Sequence, residues 1–183
     1  YGADFTLTAT PSRPIVGTLK DARTGEPLAD AEVRSDRFSG STFVGMGSLR
    51  TRSDSKGRFR LMGMPKGKEN QILVVPNDEQ PYFLHTAKVP DAPGMTPVMV
   101  EVALQRGIWI EGKVTEKTTG KPVAGAWLHY LPFLSNTFAQ ANQEFGKDML
   151  GGIGFQNRYL SKADGSFRLV GLPGRAIVGA DVW

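Results

Sequence analysis

At 183 residues the chain is long enough for one ordinary domain or for two small ones that each bury a core. Glycine (22) and proline (12) together exceed the average share of roughly 12%, while the hydrophobic fraction is an ordinary 40%, a mix suited to short strands joined by tight turns. The absence of cysteine excludes disulfides, thiolate metal sites and a cysteine nucleophile, and the net charge of +4 comes from scattered lysines and arginines, which gives no support to nucleic-acid binding.

The chain opens at Tyr1 without a charged-then-apolar leader, and no stretch of about 18 apolar residues follows, so neither a signal peptide nor a membrane span is expected within it. Residues 4–15 (DFTLTATPSRPI) occupy the same place before the first repeat as 99–110 (MVEVALQRGIWI) do before the second, so residues 4–10 read as the closing strand of a preceding module, within an extension over 1–14. Period-2 alternation and turn residues then predict strands near 14–20, 31–38, 48–53, 58–62, 70–76, 82–89 and 98–106. Seven short strands at this spacing indicate a Greek-key sandwich. A weak helical period is confined to 138–147.

The pattern then repeats. Residues 15–35 (IVGTLKDARTGEPLADAEVRS) align without a gap to 110–130 (IEGKVTEKTTGKPVAGAWLHY), and 56–65 (KGRFRLMGMP) align to 164–173 (DGSFRLVGLP). The first repeat is assigned to 15–106 and the second to 107–183. Thr-Gly before a charged residue and a proline predicts a turn with Gly25 or Gly120 at positive φ, followed by Pro27 or Pro122 where no ladder donor is owed. Gly57 and Gly165 are placed in hairpin turns ahead of the Phe-Arg-Leu strands. The second repeat ends short: Trp183 aligns with Val75, so counterparts of the strands at 82–89 and 98–106 are missing. Open edges, lower stability and self-association are therefore expected of it. Between the repeats, Gly107 reads as a hinge and Trp109 as a residue packed at the junction, with a nearly fixed angle between modules.

These motifs, G-x-[VL]-x(5)-T-G-x-P-[LV]-A-x-A, a glycine turn, F-x-L and G-[ML]-P, resemble the carboxypeptidase regulatory-like family over residues 15–105 and 110–183. The resemblance implies two tandem all-β sandwiches of the transthyretin-like or Ig-like kind, the second incomplete. It also implies a non-catalytic spacer and interaction scaffold in a larger, exported bacterial protein, periplasmic or at the cell surface, whose partners are neighbouring domains of the same chain, another protein or a glycan. Such modules are also fused to membrane metallopeptidases, so a regulatory appendage of a membrane-anchored enzyme is a second implication; a carbohydrate-binding unit that stacks sugars on Trp127, Tyr130 or the loop aromatics is a further alternative, read from the aromatics themselves.

No catalytic, cofactor or metal residue is assigned. His85 and His129 occupy non-equivalent positions outside any H-x-x-E, H-E-x-x-H or H-x-H spacing, and there is no G-x-S-x-G elbow. Residues 151–154 (GGIG) lack the lysine of a phosphate loop and read as a loop tip. Asp54, Asp78, Glu79, Asp148 and Asp164 lie near turns, where backbone hydrogen bonding competes with calcium ligation as their use. Arg50, Arg52, Arg58 and Arg60 form a candidate basic patch if their two strands make a hairpin with one outer face. Gly17 and Gly57 are 40 positions apart and Gly112 and Gly165 are 53 apart, so the second repeat carries a 13-residue insertion, in the loop at 131–159. Its aromatics Phe133, Phe138, Phe145 and Phe155, with Trp127 and Tyr130 before them, form a candidate partner or sugar-stacking surface.

Overall fold

A computed structural model describes residues 6, 12–38, 49–141 and 159–182. The chain is all-β. Among the described residues the order is β1 (Ile15–Asp21), β2 (Glu32–Arg37), β3 (Arg50–Arg52), β4 (Arg58–Leu61), β5 (Gln71–Val75), β6 (His85–Lys88), β7 (Val98–Leu104), β8 (Ile108–Lys113), β9 (Trp127–Pro132), α1 (Thr137–Ala141), β10 (Ser166–Gly171) and β11 (Ala176–Asp181). No helix among them is long and apolar enough to cross a membrane. Two compact units result. Unit 1 comprises 1–77 and 84–104, and unit 2 comprises 78–83 and 105–183.

Unit 1 is built from a three-stranded sheet, β4-β1-β7, and a four-stranded sheet, β3-β2-β5-β6. β1 runs antiparallel to β4 but parallel to β7, in register from Ile15 opposite Val98 to Asp21 opposite Leu104. Alternation sets the faces. Ile15, Gly17, Leu19 and Asp21 of β1 point inward, as do Val98, Val100, Val102 and Leu104 of β7, and the residues between them point outward or stay half-buried. Phe59 and Leu61 of β4, Val33 of β2, and Ile72 and Val74 of β5 complete the core. Each such apolar side chain contributes about 1.5–3 kcal/mol by leaving water. The strand expected over 82–89 is shorter, because Tyr82 and Phe83 leave the sheet of unit 1 and belong to unit 2.

Unit 2 repeats the inner part of this plan with β8 paired to β10 and β9 to β11, each antiparallel. Its core gathers Leu128, Tyr130, Leu169, Val170, Leu172 and Phe83. The 78–83 segment is held by Gly107 N–H donating to the Pro81 carbonyl (2.7 Å) and by Phe83 N–H donating to Gln105 (3.0 Å). Gly107 is thereby placed within unit 2. A β-carbon there would lie 2.5 Å from Val170 Cγ1 and 2.7 Å from Phe83 Cζ, so close packing is what requires glycine.

The two repeats share a polar framework at equivalent positions. Ser53 Oγ donates to the Leu28 carbonyl (2.7 Å) and accepts from Ala31 N–H (3.0 Å); Ser161 Oγ donates to Val123 (2.7 Å) and accepts from Ala126 N–H (2.9 Å). Leu19 N–H donates to the Gly57 carbonyl as Val114 N–H does to Gly165, both at 2.8 Å. Gly57 (φ 69°) and Gly165 (φ 78°) occupy the tight turns, and Gly25 (φ 75°) and Gly120 (φ 69°) the earlier ones. Even Asp30, at φ 55°, has a left-handed counterpart in Gly125 at φ 70°.

Candidate binding pocket

Unit 2 carries a depression of about 250 Å³ lined by Asp78, Glu79, Trp109, Tyr159, Leu160, Lys162 and Arg168. Its floor follows from the β8–β10 register. Arg168 stands opposite Glu111 and Trp109 opposite Val170, which makes Arg168 and Trp109 diagonal neighbours on one face. The guanidinium carbon lies 4.2 Å from the centre of the Trp109 ring, within cation–π range. Arg168 Nη2 also donates to Glu79 Oε2 (2.8 Å) and to the Asp78 carbonyl (3.1 Å). That hydrogen bond and its charge hold the Glu79 carboxyl below the usual carboxylate range, and in turn raise Arg168. The site thus brings together a half-buried aromatic, the mutually paired Glu79 and Arg168, Asp78, a lysine, a phenol and the apolar Leu160. Trp109, expected at a junction between repeats, is partly buried against the core of unit 2 itself.

The residues expected to form a partner surface separate in the structure. Tyr130 is not exposed: it is a core residue whose hydroxyl donates to the Leu172 carbonyl (3.1 Å) and accepts from Leu172 N–H (2.9 Å). An inward position on β9 puts it there, since its outward neighbours are His129 and Leu131. Trp127 is half-buried, paired with Asp181 across β11 and bridged to Leu160. Phe133 and Phe138 are exposed, and the Arg175 guanidinium lies 5.1 Å from the Phe133 ring centre. Phe145, Phe155 and Asp148 lie outside the described residues, as do 151–154.

The arginines do not share a hairpin sheet. β3 pairs with β2 and β4 with β1, so Arg50 and Arg52 belong to one sheet of unit 1 and Arg58 and Arg60 to the other. Arg52 is ion-paired to Asp30 and Arg58 to Asp54, each at 2.8 Å, which neutralises much of the patch. Asp54 Oδ1 also accepts from the N–H groups of Lys56 and Arg58, and Asp164 Oδ1 from Ser166 N–H, so both carboxylates serve their own turns. Among the described residues no group of three or more His, Asp and Glu could hold a metal ion.

Ser53 and Ser161 were not singled out from the sequence, although both precede the second repeated block at the same offset. Recurrence of a polar residue at an inward position was the signal. His129, whose Nε2 lies 2.8 Å from Asp181 Oδ2 on the paired strand, needed the β9–β11 register to be found.

No family model matches the chain, and no curated protein does. Among solved structures it is similar to a streptococcal ancillary pilin (TM-score 0.36, 12% identity, 96% of this chain and 60% of that one). It is also similar to the shaft pilin SpaA from Lactobacillus rhamnosus GG (TM-score 0.37, 12% identity, 94% and 89%) and to a 9R-lipoxygenase from Cyanothece PCC8801 (TM-score 0.37, 16% identity, 67% and 20%). The chain spans less than two thirds of the ancillary pilin's length.

Proposed function

We propose that the chain is a non-catalytic, load-bearing spacer and interaction module of a larger, exported bacterial protein. The observation that carries this reading is the parallel pairing of β1 with β7. These are the first and last strands of unit 1, so tension along the polypeptide pulls β1 from its N-terminal end and β7 from its C-terminal end. In a parallel pair those pulls are opposed along the strand axis. All seven residue pairs from Ile15–Val98 to Asp21–Leu104 then bear load at once and must slide together before any breaks. An antiparallel pair pulled at adjacent ends would open one rung at a time. The polar groups that recur in both repeats are spent on holding strands and turns, which accords with a scaffold role.

The test uses the cysteine-free background to choose where force is applied. Single-molecule pulling through cysteines at Pro14 and Gln105 loads β1 against β7 in shear, whereas pulling through Pro14 and Met62 peels β1 from β4. A rupture force several-fold higher in the first geometry supports the reading. Equal forces in the two geometries sink it.

A second reading, carbohydrate binding, is favoured by the depression beside Trp109 rather than by Trp127 and Tyr130. A glycan array that shows binding by the natural chain and none by Lys162→Ala would support it; binding unaffected by Lys162→Ala would place the sugar elsewhere.

A further inference from the structure

Arg13 lies two residues before β1 and is 5% exposed. A cation buried to that degree calls for a close partner of opposite charge. Among the described residues its ion pair with Asp91 is loose, at 3.7 Å. The guanidinium is instead held by main chain: Nη1 donates to the Ala92 carbonyl and Nη2 to the Pro90 carbonyl (2.8 Å). Both carbonyls belong to the link between β6 and β7, and that link is itself anchored. Val89 N–H donates to the Asn70 carbonyl (2.8 Å), Asn70 Nδ2 donates to the Pro65 carbonyl (2.6 Å), and Pro65 is bridged to Ser12. Beside them Val98 N–H donates to the Pro14 carbonyl (2.9 Å) at the start of the β1–β7 pair. Residues 12–14 thus reach the segment after β4, the β6–β7 link and β7 through three consecutive positions.

We propose that Arg13 is a force-bearing latch, which passes part of the tension entering unit 1 ahead of β1 into the β3-β2-β5-β6 sheet, so that this sheet carries load together with the β1–β7 pair. The inference rests on the load-bearing reading given above. Tension draws residue 13 away from β1 along the strand axis. Without the latch that pull reaches the fold only through β1 and its neighbours in the ladder. With it, the guanidinium holds Pro90 and Ala92, whose neighbour Val89 is tied to Asn70 at the start of β5, and the second sheet resists the displacement. The two bonds must yield together, because both nitrogens belong to one rigid plane. Burial keeps water from replacing the carbonyls as they begin to part, which strengthens the grip beyond that of an exposed pair. Asp91, one-third exposed, compensates charge and adds little to the hold.

Single-molecule pulling on the cysteine-free chain separates the latch from the strands. Handles at Ser12→Cys and Gln105→Cys put Arg13 in the path of the force, whereas handles at Pro14→Cys and Gln105→Cys leave it out. With Arg13 in place, rupture is expected at a higher force from position 12 than from position 14. Arg13→Met, apolar and of similar length, is expected to remove that excess and to leave rupture from position 14 unchanged; Arg13→Lys, which keeps the charge and loses the fork, is expected to retain only part of it. Equal forces from positions 12 and 14 overturn the proposal without any substitution of Arg13. So does an excess that survives Arg13→Met, which would assign it to the Ser12–Pro65 bridge, or an equal loss in both geometries, which would make Arg13 a general stabiliser of unit 1. The comparison of Pro14–Gln105 with Pro14–Met62 keeps Arg13 outside the force path both times, so it tests the load-bearing reading by itself: equal forces there remove that reading and the latch together, while failure of the latch alone leaves it standing.

Discussion

The carbonyl oxygen of Leu19 lies 2.3 Å from where a β-carbon on Gly57 would stand, and the Val114 carbonyl stands 2.4 Å from the same point on Gly165. Both glycines are at positive φ, so a side chain meets backbone strain and a clash with backbone that has no rotamer to yield. Gly57→Ala is therefore expected to destabilise unit 1, and Gly165→Ala unit 2, by about 1–3 kcal/mol each. Gly25 has the same backbone sign but open space around it, so Gly25→Ala should cost only about 1 kcal/mol. Chemical denaturation of the three variants checks the order, and equal shifts at Gly25 and Gly57 would mean that the close approach is unimportant.

Ser53 and Ser161 each join two backbone segments through one hydroxyl. Alanine removes the bridge and leaves a buried N–H donor in each unit, with a buried acceptor in unit 1 and a part-buried one in unit 2, without that partner, so Ser53→Ala and Ser161→Ala are each expected to cost about 1–3 kcal/mol. Hydrogen exchange locates the damage: Ala31 N–H in the first variant and Ala126 N–H in the second should lose protection, with the other unit unchanged.

The repeat made the fold legible, and registers made the site so. Phe-Arg-Leu and the Thr-Gly turns predict β1, β4, β8 and β10 because period-2 polarity and left-handed glycines are local properties of the chain. What a strand is paired with is not local. That Arg58 and Arg60 enter a different sheet from Arg50 and Arg52 depends on a crossover after Ser53, and that Tyr130 is a core residue depends on which face of β9 turns inward. The pocket was less legible still: Arg168 meets Trp109 only through the β8–β10 register, and Glu79 comes from a segment on the far side of β6 and β7 in sequence.

Carboxylates in the turns give unit 1 a defined response to acid. Hydrogen bonds from Arg58 lower the Asp54 carboxyl, and those from Asn77 and Arg52 lower Asp30. A depressed folded-state value contributes stability that is present above the ordinary carboxylate range and is lost as pH falls through the folded value. Asp36 has the opposite sign: burial raises it, so its ionisation opposes folding once pH rises above the unfolded value. Accordingly Asp36→Asn is expected to stabilise the chain at neutral pH and to have little effect in acid, while Arg58→Ala moves the Asp54 titration upward. Carboxyl NMR titrations and denaturation at two pH values read both; a stabilising effect of Asp36→Asn that grows toward low pH would contradict the sign.

Arg168 on β10 ties down the 78–83 segment by two contacts, an ion pair with Glu79 and a hydrogen bond to the Asp78 carbonyl, while its stack on Trp109 of β8 holds the guanidinium in place. The ion pair alone is weak. Glu79 is 78% exposed, and pairs in that setting are worth roughly 0–1 kcal/mol and are screened by salt. Glu79→Gln should therefore have the smallest effect. Arg168→Lys keeps the charge but gives up the planar stack and the forked donor, so it should loosen the segment more, and Arg168→Ala, which removes every contact, most of all. The readout is amide exchange at Gly107 and Phe83, whose N–H groups are bonded to Pro81 and Gln105 and open only when the segment lifts. Rates should rise in the order Glu79→Gln, Arg168→Lys, Arg168→Ala, and high salt should accelerate the natural chain only as far as Glu79→Gln does. If Arg168→Lys matches the natural chain, the stack on Trp109 holds nothing and charge alone positions the segment.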